Sequence, residues 1–427
     1  MRTVGEAVLF YGMLQRKMAE AALPFERAGA VHRRISGGIF MKNEIWKRMI
    51  SAVMAAALCL SMAGCGKGAQ TLSQTGASGT VETKEADLAD GTAENSAEST
   101  FSGTGAEFPE FYEKEGNTVP FQTEVVVSEE VRENGLRKLS AAVQKPDPIK
   151  ALECLMGEVE ITEKNEEENN YWYEGADGEN LTVNNTSVGF STRFFVYVSN
   201  AFRLQQGYSD YNADQYELDQ DLEFATRQEA FEDIRQTFQT MGIDIGDRYK
   251  CYVLEHSMLE SEEYAMDMNG NSNPADYKDA WTQEDDSYYF VINQQYGNTP
   301  AWHAFYDHSP LAADETAPVQ VLYNRNGIQF LQLEKVFAFS EQEGNYDLKP
   351  FEEIAGAMEA KYEALAEEGT YTVRQAVLYY MEKKMAEGQY EVIPVWIFQT
   401  VDNGSGKVLQ DIVDAVGGEE IKITVED

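Results

Sequence analysis

The 427-residue chain is poor in the side chains that most enzymes place at the reacting atoms. It has four histidines, and from Cys65 onward only His256, His303 and His308. In the run TPAWHAFYDHSP, His303 and His308 flank Asp307, but five-residue spacing is not the i, i+4 pair with which a helical H-E-x-x-H segment holds zinc. These histidines read as surface polar residues, and neither a metal nor a cofactor is expected. No G-x-S-x-G segment announces a nucleophile elbow. Gly404-Ser405-Gly406-Lys407 lacks the upstream glycine and the following Ser/Thr of a phosphate loop, so it reads as a turn. Asp267 to Asn273, DMNGNSN, alternates oxygen ligands, but its glycine is out of place for a calcium loop and the bidentate glutamate is missing. No catalytic residue is assigned on this inventory. Basic residues are also scarce: 34 Lys/Arg stand against 73 Asp/Glu. Residues 1 to 64 hold nine of the basic and four of the acidic ones, which leaves 25 against 69 from Cys65 onward, a net charge of -44. Such a surface repels phosphate backbones and anionic headgroups, so nucleic acid is excluded as a partner, and the charge serves solubility.

No apolar run is long enough to stay in a membrane. The uncharged, mostly apolar run Met49 to Gly64 has sixteen residues, short of the ~20 that a helix needs to cross a bilayer. It follows the positive head Lys42, Lys47 and Arg48 and ends in small residues before a cysteine, the pattern of an export signal. Its end, Leu60-Ser61-Met62-Ala63-Gly64-Cys65, resembles the bacterial lipobox, with Met62 where that motif usually has Leu. The resemblance implies cleavage before Cys65 and a diacylglyceryl group on its thiol. The chain would then sit outside the cell, anchored to the outer face of the cytoplasmic membrane. Residues 1 to 40 mix Glu6, Glu20 and Glu26 with basic residues and precede a complete signal with its own methionine, so translation is expected to start at Met41. Gly66 to Glu107 holds one aromatic residue, Phe101, and no isoleucine. It cannot bury enough apolar surface to offset the entropy of ordering. Residues 65 to 107 are therefore read as a tether, and its 42 residues after the cysteine would span about 35 Å as a flexible chain.

The remaining ~320 residues exceed what one core usually accommodates, and three parts are expected: a mainly β subdomain over 108 to 222, then α+β units over 223 to 345 and 346 to 427. In the first, Thr118 to Val127, Tyr171 to Tyr173, Leu181 to Val183 and Phe194 to Val198 are strand candidates, and Ile149 to Met156 is a short helix. Gly207 to Asp221 sets Tyr208, Tyr211 and Tyr216 among Asp210, Asp214, Asp219 and Asp221 and reads as a solvated loop. Thr226 to Met241 puts Ala230, Phe231, Ile234, Phe238 and Met241 on one helical face. Thr226 and Glu229 make a capping box and Gly242 the stop. Strands follow at Tyr249 to Glu255, Tyr288 to Asn293, Val319 to Tyr323 and Ile328 to Phe339, the last two joined by the hairpin turn Asn324 to Gly327. The same order returns with a helix at Pro350 to Ala366 and strands at Thr370 to Lys383, Tyr390 to Val401, Val408 to Ala415 and Ile421 to Val425. The fold class expected is α+β, with curled antiparallel sheets each covered by a helix and two related units after the N-terminal part.

Within the last unit, EVIPVWIFQT (Glu391 to Thr400) and LQDIVDAVGGEEI (Leu409 to Ile421) resemble the closing hairpin of YycI/YycH-like and PepSY-like modules of Gram-positive extracytoplasmic proteins. Pro394-Val395-Trp396 and Asp414-Ala415 carry the likeness, over about 75 residues. It implies a regulatory or binding role, not an activity. YycI and YycH act on a sensor kinase through a transmembrane helix, which this chain replaces with a lipid, so that partner does not carry over.

Of the cysteines, Cys59 leaves with the signal and Cys65 is lipidated. Cys154 and Cys251 fit either a disulfide, allowed outside the membrane, or two buried thiols. The function expected is therefore that of a lipid-anchored extracytoplasmic binding or regulatory protein, non-catalytic, engaging an envelope protein, peptide or wall polymer. The alternative is an exported carboxylate-dependent hydrolase of cell-wall glycan or peptide, which needs two carboxyl groups about 5 to 9.5 Å apart in a cleft.

Overall fold

The computed structural model describes residues 108–115, 119–204, 211–264, 277–303, 317–365, 371–386, 389–404, 406 and 408–422. The signal, Cys65, the tether, Tyr208, His308 and Asp267 to Asn273 lie outside them. In chain order the elements are β1 (Phe111–Lys114), β2 (Phe121–Val126), α1 (Glu129–Asn134), β3 (Arg137–Val143), α2 (Pro148–Met156), β4 (Ile161–Glu167), β5 (Asn170–Gly175), β6 (Asn180–Asn184), β7 (Val188–Ser191), α3 (Arg193–Ala201), α4 (Arg227–Thr240), β8 (Tyr249–Leu254) and α5 (His256–Glu262). They continue with β9 (Ser287–Ile292), β10 (Gln295–Tyr296), β11 (Thr299–Trp302), β12 (Val319–Asn324), β13 (Gly327–Leu333), β14 (Phe337–Asn345), α6 (Phe351–Leu365), β15 (Tyr371–Ala386), β16 (Gln389–Asp402) and β17 (Val408–Asp414).

The strands form two curled sheets in an α+β fold. The eight-stranded sheet runs β4-β5-β6-β7-β13-β12-β9-β8, antiparallel throughout. The nine-stranded sheet runs β1-β2-β15-β16-β3-β14, with β17 on β16 and β11 on β15. Two of its pairings, β2 with β15 and β11 with β15, are parallel.

Helices cover both faces of the eight-stranded sheet, so β9 (SYYFVI) is buried at every position. Tyr288, Phe290 and Ile292 pack toward α2 and α4, where Ala230, Phe231, Ile234 and Phe238 line one face of α4. Tyr289 and Val291 pack the other way, with Val198 and Ala201 of α3 and Leu259 of α5. The Thr226–Glu229 capping box closes the start of α4, and Gly242 turns the chain with φ +84°, a backbone that only glycine adopts without strain. On the nine-stranded sheet, β2 alternates cleanly, with Phe121, Thr123 and Val125 inward. α6 lays Phe351, Ile354, Ala355, Met358 and Tyr362 over the same core, which includes the fully buried Trp396. The helix is pinned by Asp411, whose carboxylate accepts bonds from Tyr362 Oη (2.6 Å), Lys361 Nζ (2.6 Å) and Thr400 Oγ1 (3.2 Å).

The helix-then-meander order occurs twice as expected, α4 before β8, β9, β12 and β13, and α6 before β15, β16 and β17. The expected boundaries at 222 and 345 do not follow the sheets. β1, β2 and β3 belong with β10, β11 and β14 to β17, so residues 108–222 feed both sheets, and the nine-stranded one closes from three separate stretches of chain. Phe194 to Val198 is a helix, not a strand: Phe194, Phe195, Val198 and Ala201 share one face at helical spacing against the sheet. Ile328 to Phe339 is two strands, since the chain leaves one sheet after Leu333 and enters the other at Phe337. Ile421 and Lys422 form no strand. The bridge Val413–Glu420, the bond from Ile421 N to Ile412 O, the Lys361–Glu420 ion pair and packing of Ile421 beside Ile412 hold the chain there.

Candidate functional site

The chain crosses between sheets at two neighbouring places, after β9 toward β11 and after β13 toward β14. The carboxyl and imidazole groups with the most disturbed protonation collect at this seam. β11 lies parallel to β15 with Ala301 opposite Tyr380 and Trp302 opposite Met381, which brings the next residue, His303, to Glu382. His303 Nδ1 is 3.7 Å from Glu382 Oε2, and the two side chains are 8% and 4% exposed. That separation is too long for a hydrogen bond. His303 Nε2 and Glu382 Oε1 are buried with no hydrogen-bond partner among the described residues. The His303 ring stacks on Phe337, with centroids 6.0 Å apart and planes 10° from parallel.

Phe337 is itself clamped by side chains from both crossings. Its N–H donates to Gln294 Oε1 (2.7 Å), and its carbonyl accepts from Gln294 Nε2 (2.8 Å) and Gln144 Nε2 (3.0 Å). Gln144 also bonds the backbone of Asp244 in both directions, at 2.8 Å each.

Burial disfavours every charge here. It pushes His303 down to about 4, with the Lys335 cation adding to the effect. It pushes Glu382 up to about 8 against the opposing pull of its backbone N–H and Lys335, and it pushes Glu334 up to about 7 against Lys335. At neutral pH the pair is thus a carboxylic acid facing an uncharged imidazole. A cavity of about 30 Å³ adjoins it, lined by Arg248, Asn293, Trp302, His303 and Tyr379 among others. That volume is of the order of one water molecule. The site can hold and release protons, and it has no room for a polymer substrate.

A wider groove of about 390 Å³ runs along the outer edge of β8, lined by Leu218, Asp219, Arg227, Tyr249, Lys250 and Cys251. Arg227 is engaged by Asp221 (3.0 Å), Asp219 (3.2 Å) and the Leu218 carbonyl (2.6 Å), and its bonds hold the Asp221 carboxyl below its ordinary range. Burial pushes the Cys251 thiol up, which suppresses the thiolate a nucleophile requires.

The sequence-based candidates are dispersed. Cys154 is exposed on α2 and Cys251 is buried in β8. Both are free, so the disulfide alternative is set aside. Of the tyrosine-rich segment, Tyr216 is core, its hydroxyl donating to Ala201 O (3.0 Å), and Tyr211 packs against the same cluster. The solvated-loop reading fails there because that apolar cluster recruits the rings. His256 Nδ1 sits 2.7 Å from Asp286 Oδ1 at the start of α5. His303 is buried, contrary to its reading as a surface residue. Among the described residues no three His, Cys, Asp or Glu side chains gather to hold a metal.

Glu334, Lys335 and Glu382 were not anticipated. The available signal for Glu382 was its place two residues beyond Leu378 and Tyr380 on the inward face of β15.

No family model matches this sequence, and no curated protein matches it. Among solved structures, an uncharacterized protein from Eubacterium rectale is similar, with TM-score 0.50 and 16% identity over 74% of this chain and 94% of that one. At that identity the likeness concerns the fold alone.

Proposed function

We propose that this chain is a lipid-anchored extracytoplasmic binding or regulatory protein, without catalysis of its own, held to the outer face of the cytoplasmic membrane by a diacylglyceryl group on Cys65. The observation that carries the reading is the sequence from Met41 to Cys65, a basic head, a short apolar run and Ala-Gly-Cys, followed by a segment poor in apolar residues, the composition expected of a tether. No helix among the described residues is long and apolar enough to cross a membrane.

The geometry supports binding over turnover. His303, which faces the proton-holding Glu382, lines a chamber the size of one water, and the open groove offers a thiol whose burial keeps it protonated. The partner is an envelope protein, peptide or wall polymer. The β16–β17 hairpin that bears Pro394-Val395-Trp396 is the element through which the YycI/YycH-like and PepSY-like resemblance would extend to role. Its register sets Val395 against Asp414 and Trp396 against Val413.

The test is detergent phase partition of the full chain and of Cys65→Ser, expressed in a Gram-positive host, with crosslinking in intact cells. The native chain should enter the detergent phase and the variant the aqueous phase. Aqueous partition of both would overturn the anchor, and degradation of a wall polymer by the purified protein would overturn the non-catalytic reading.

A further inference from the structure

The seam between the sheets contains a feature that a purely structural contact would not need. Two titratable side chains, each more than nine-tenths buried, face each other at 3.7 Å with one polar atom apiece left without a hydrogen-bond partner among the described residues. Buried polar atoms are normally satisfied, because each orphan forfeits the hydrogen bonds it made to water. Here both orphans lie where β11 joins β15, the strand contact by which the chain leaving the eight-stranded sheet enters the nine-stranded one.

We propose that His303 and Glu382 form a proton-binding latch between the two sheets, closed while the pair is electrically neutral and released when it gains or loses a proton. The ligand is the proton itself, exchanged with solvent water. Loss of the Glu382 proton leaves a buried carboxylate whose Oε1 has no donor. Gain of a proton at His303 leaves a buried imidazolium whose Nε2 has no acceptor. Either charge is costly in this surrounding.

The groups around the pair set the two limits. Lys335, on the connection from β13 to β14 with its Nζ 5.8 Å from the Tyr390 ring of β16, opposes the imidazolium and favours the carboxylate. Arg248, before β8, lines the adjoining cavity and has the same sign. Glu334 is a further carboxyl group that feels Lys335 here, and it competes for that cation. Tyr379 of β15 keeps its proton, since burial raises its hydroxyl above the ordinary value. The neutral window lies between about 4 for His303 and about 8 for Glu382. This inference stands apart from the membrane anchor and needs no partner.

Hydrogen exchange followed by mass spectrometry, on the full chain between pH 4 and 9 and corrected for intrinsic rates, tests it in peptides covering 299–303 and 378–383. The native chain should exchange slowest between pH 5 and 7, with at least a tenfold rise beyond pH 8 and a second rise toward pH 4. Glu382→Gln, which mimics the protonated acid, should lose the alkaline rise and keep the acid one; His303→Gln should do the reverse. An alkaline rise in Glu382→Gln equal to that of the native chain, or a flat profile in the native chain, overturns the proposal. Should Glu382→Gln fail to fold by circular dichroism, the acid arm of His303→Gln decides by the same comparison.

Discussion

Gln294 and Gln144 grip the same carbonyl from opposite sides of the seam, and that arrangement predicts a coupling of definite sign. The bond from Gln144 N to Val336 O makes Gln144/Val336 a hydrogen-bonded pair of the β3–β14 ladder, so the N–H and C=O of Phe337 point away from β3. Gln294, 5% exposed, supplies a partner to each, and Gln144 supplies a second donor to the carbonyl. Gln294→Ala removes two buried bonds at about 1 kcal/mol each and leaves the Phe337 N–H unpaired, so roughly 2 to 4 kcal/mol should be lost. Gln144→Ala removes longer or more exposed bonds and leaves the carbonyl its Gln294 donor, so the loss should be about 1 kcal/mol. Only the double variant strips the carbonyl of both donors, and it should be less stable than the sum of the single losses by about 1 to 2 kcal/mol. Urea unfolding, followed by tryptophan fluorescence and far-ultraviolet circular dichroism, measures all four corners of the cycle. Additivity within about 0.5 kcal/mol would refute the shared-carbonyl argument, and a Gln294→Ala loss under ~1 kcal/mol would mean that the Phe337 N–H finds another partner.

Three further outcomes are expected. Glu334, raised to about 7 by burial, holds its proton more tightly folded than unfolded, so its contribution is fully present below about pH 4.5 and lost as pH rises through 7. Glu334→Gln should therefore match the native chain near pH 4.5 and exceed it by about 3 kcal/mol at pH 8 in thermal or urea melts; equal stability at both pH values would contradict the burial argument. Thr226→Ala removes the hydroxyl that accepts the Glu229 N–H at the start of α4 and should cost about 1 kcal/mol by urea titration. With Cys154 exposed and Cys251 buried, a maleimide should modify one thiol in the mature native protein and two after denaturation without reductant, and resistance of both in denaturant would reinstate a disulfide.

Elements whose determinants are local were legible in the sequence. The α4 helix announces its cap, apolar face and stop within seventeen residues, Thr226 to Gly242, and folds accordingly. The β12–β13 turn forms where the sequence places it, closed by the pair Asn324 and Gly327 around Arg325 and Asn326, with the glycine taking the left-handed φ of +89°. Phe194 to Val198 misleads because a short apolar run suits either a strand or a buried helix, and here the decision lies with Tyr289, Leu322 and Phe330 of the opposing sheet. The subdomain boundaries fail for a topological reason. β2 reaches β15 across some 250 residues, Phe121 against Val373, and nothing in either strand records which partner it will find.

The seam shows the same limit in its strongest form. Glu382 would signal burial if β15 had one apolar face, since it continues the line of Ala376, Leu378 and Tyr380. Both faces of β15 are apolar, however, with Tyr379 and Met381 packed into a separate cluster, and a register shift between Val373 and Gln375 moves the alternation by one residue. Parity therefore cannot be counted from the start of the strand, and a one-residue error exchanges core for surface. His303 lies 79 positions away and Lys335 on a third segment, so no spacing rule gathers them. Catalytic and metal motifs are readable where one helix or turn presents several ligands, whereas this cluster exists only after two sheets have closed on each other. A chain whose proton-binding groups meet at such a junction carries no motif for them in its sequence, and their first sign is a carboxylic acid buried against an imidazole with neither hydrogen-bonded to the other.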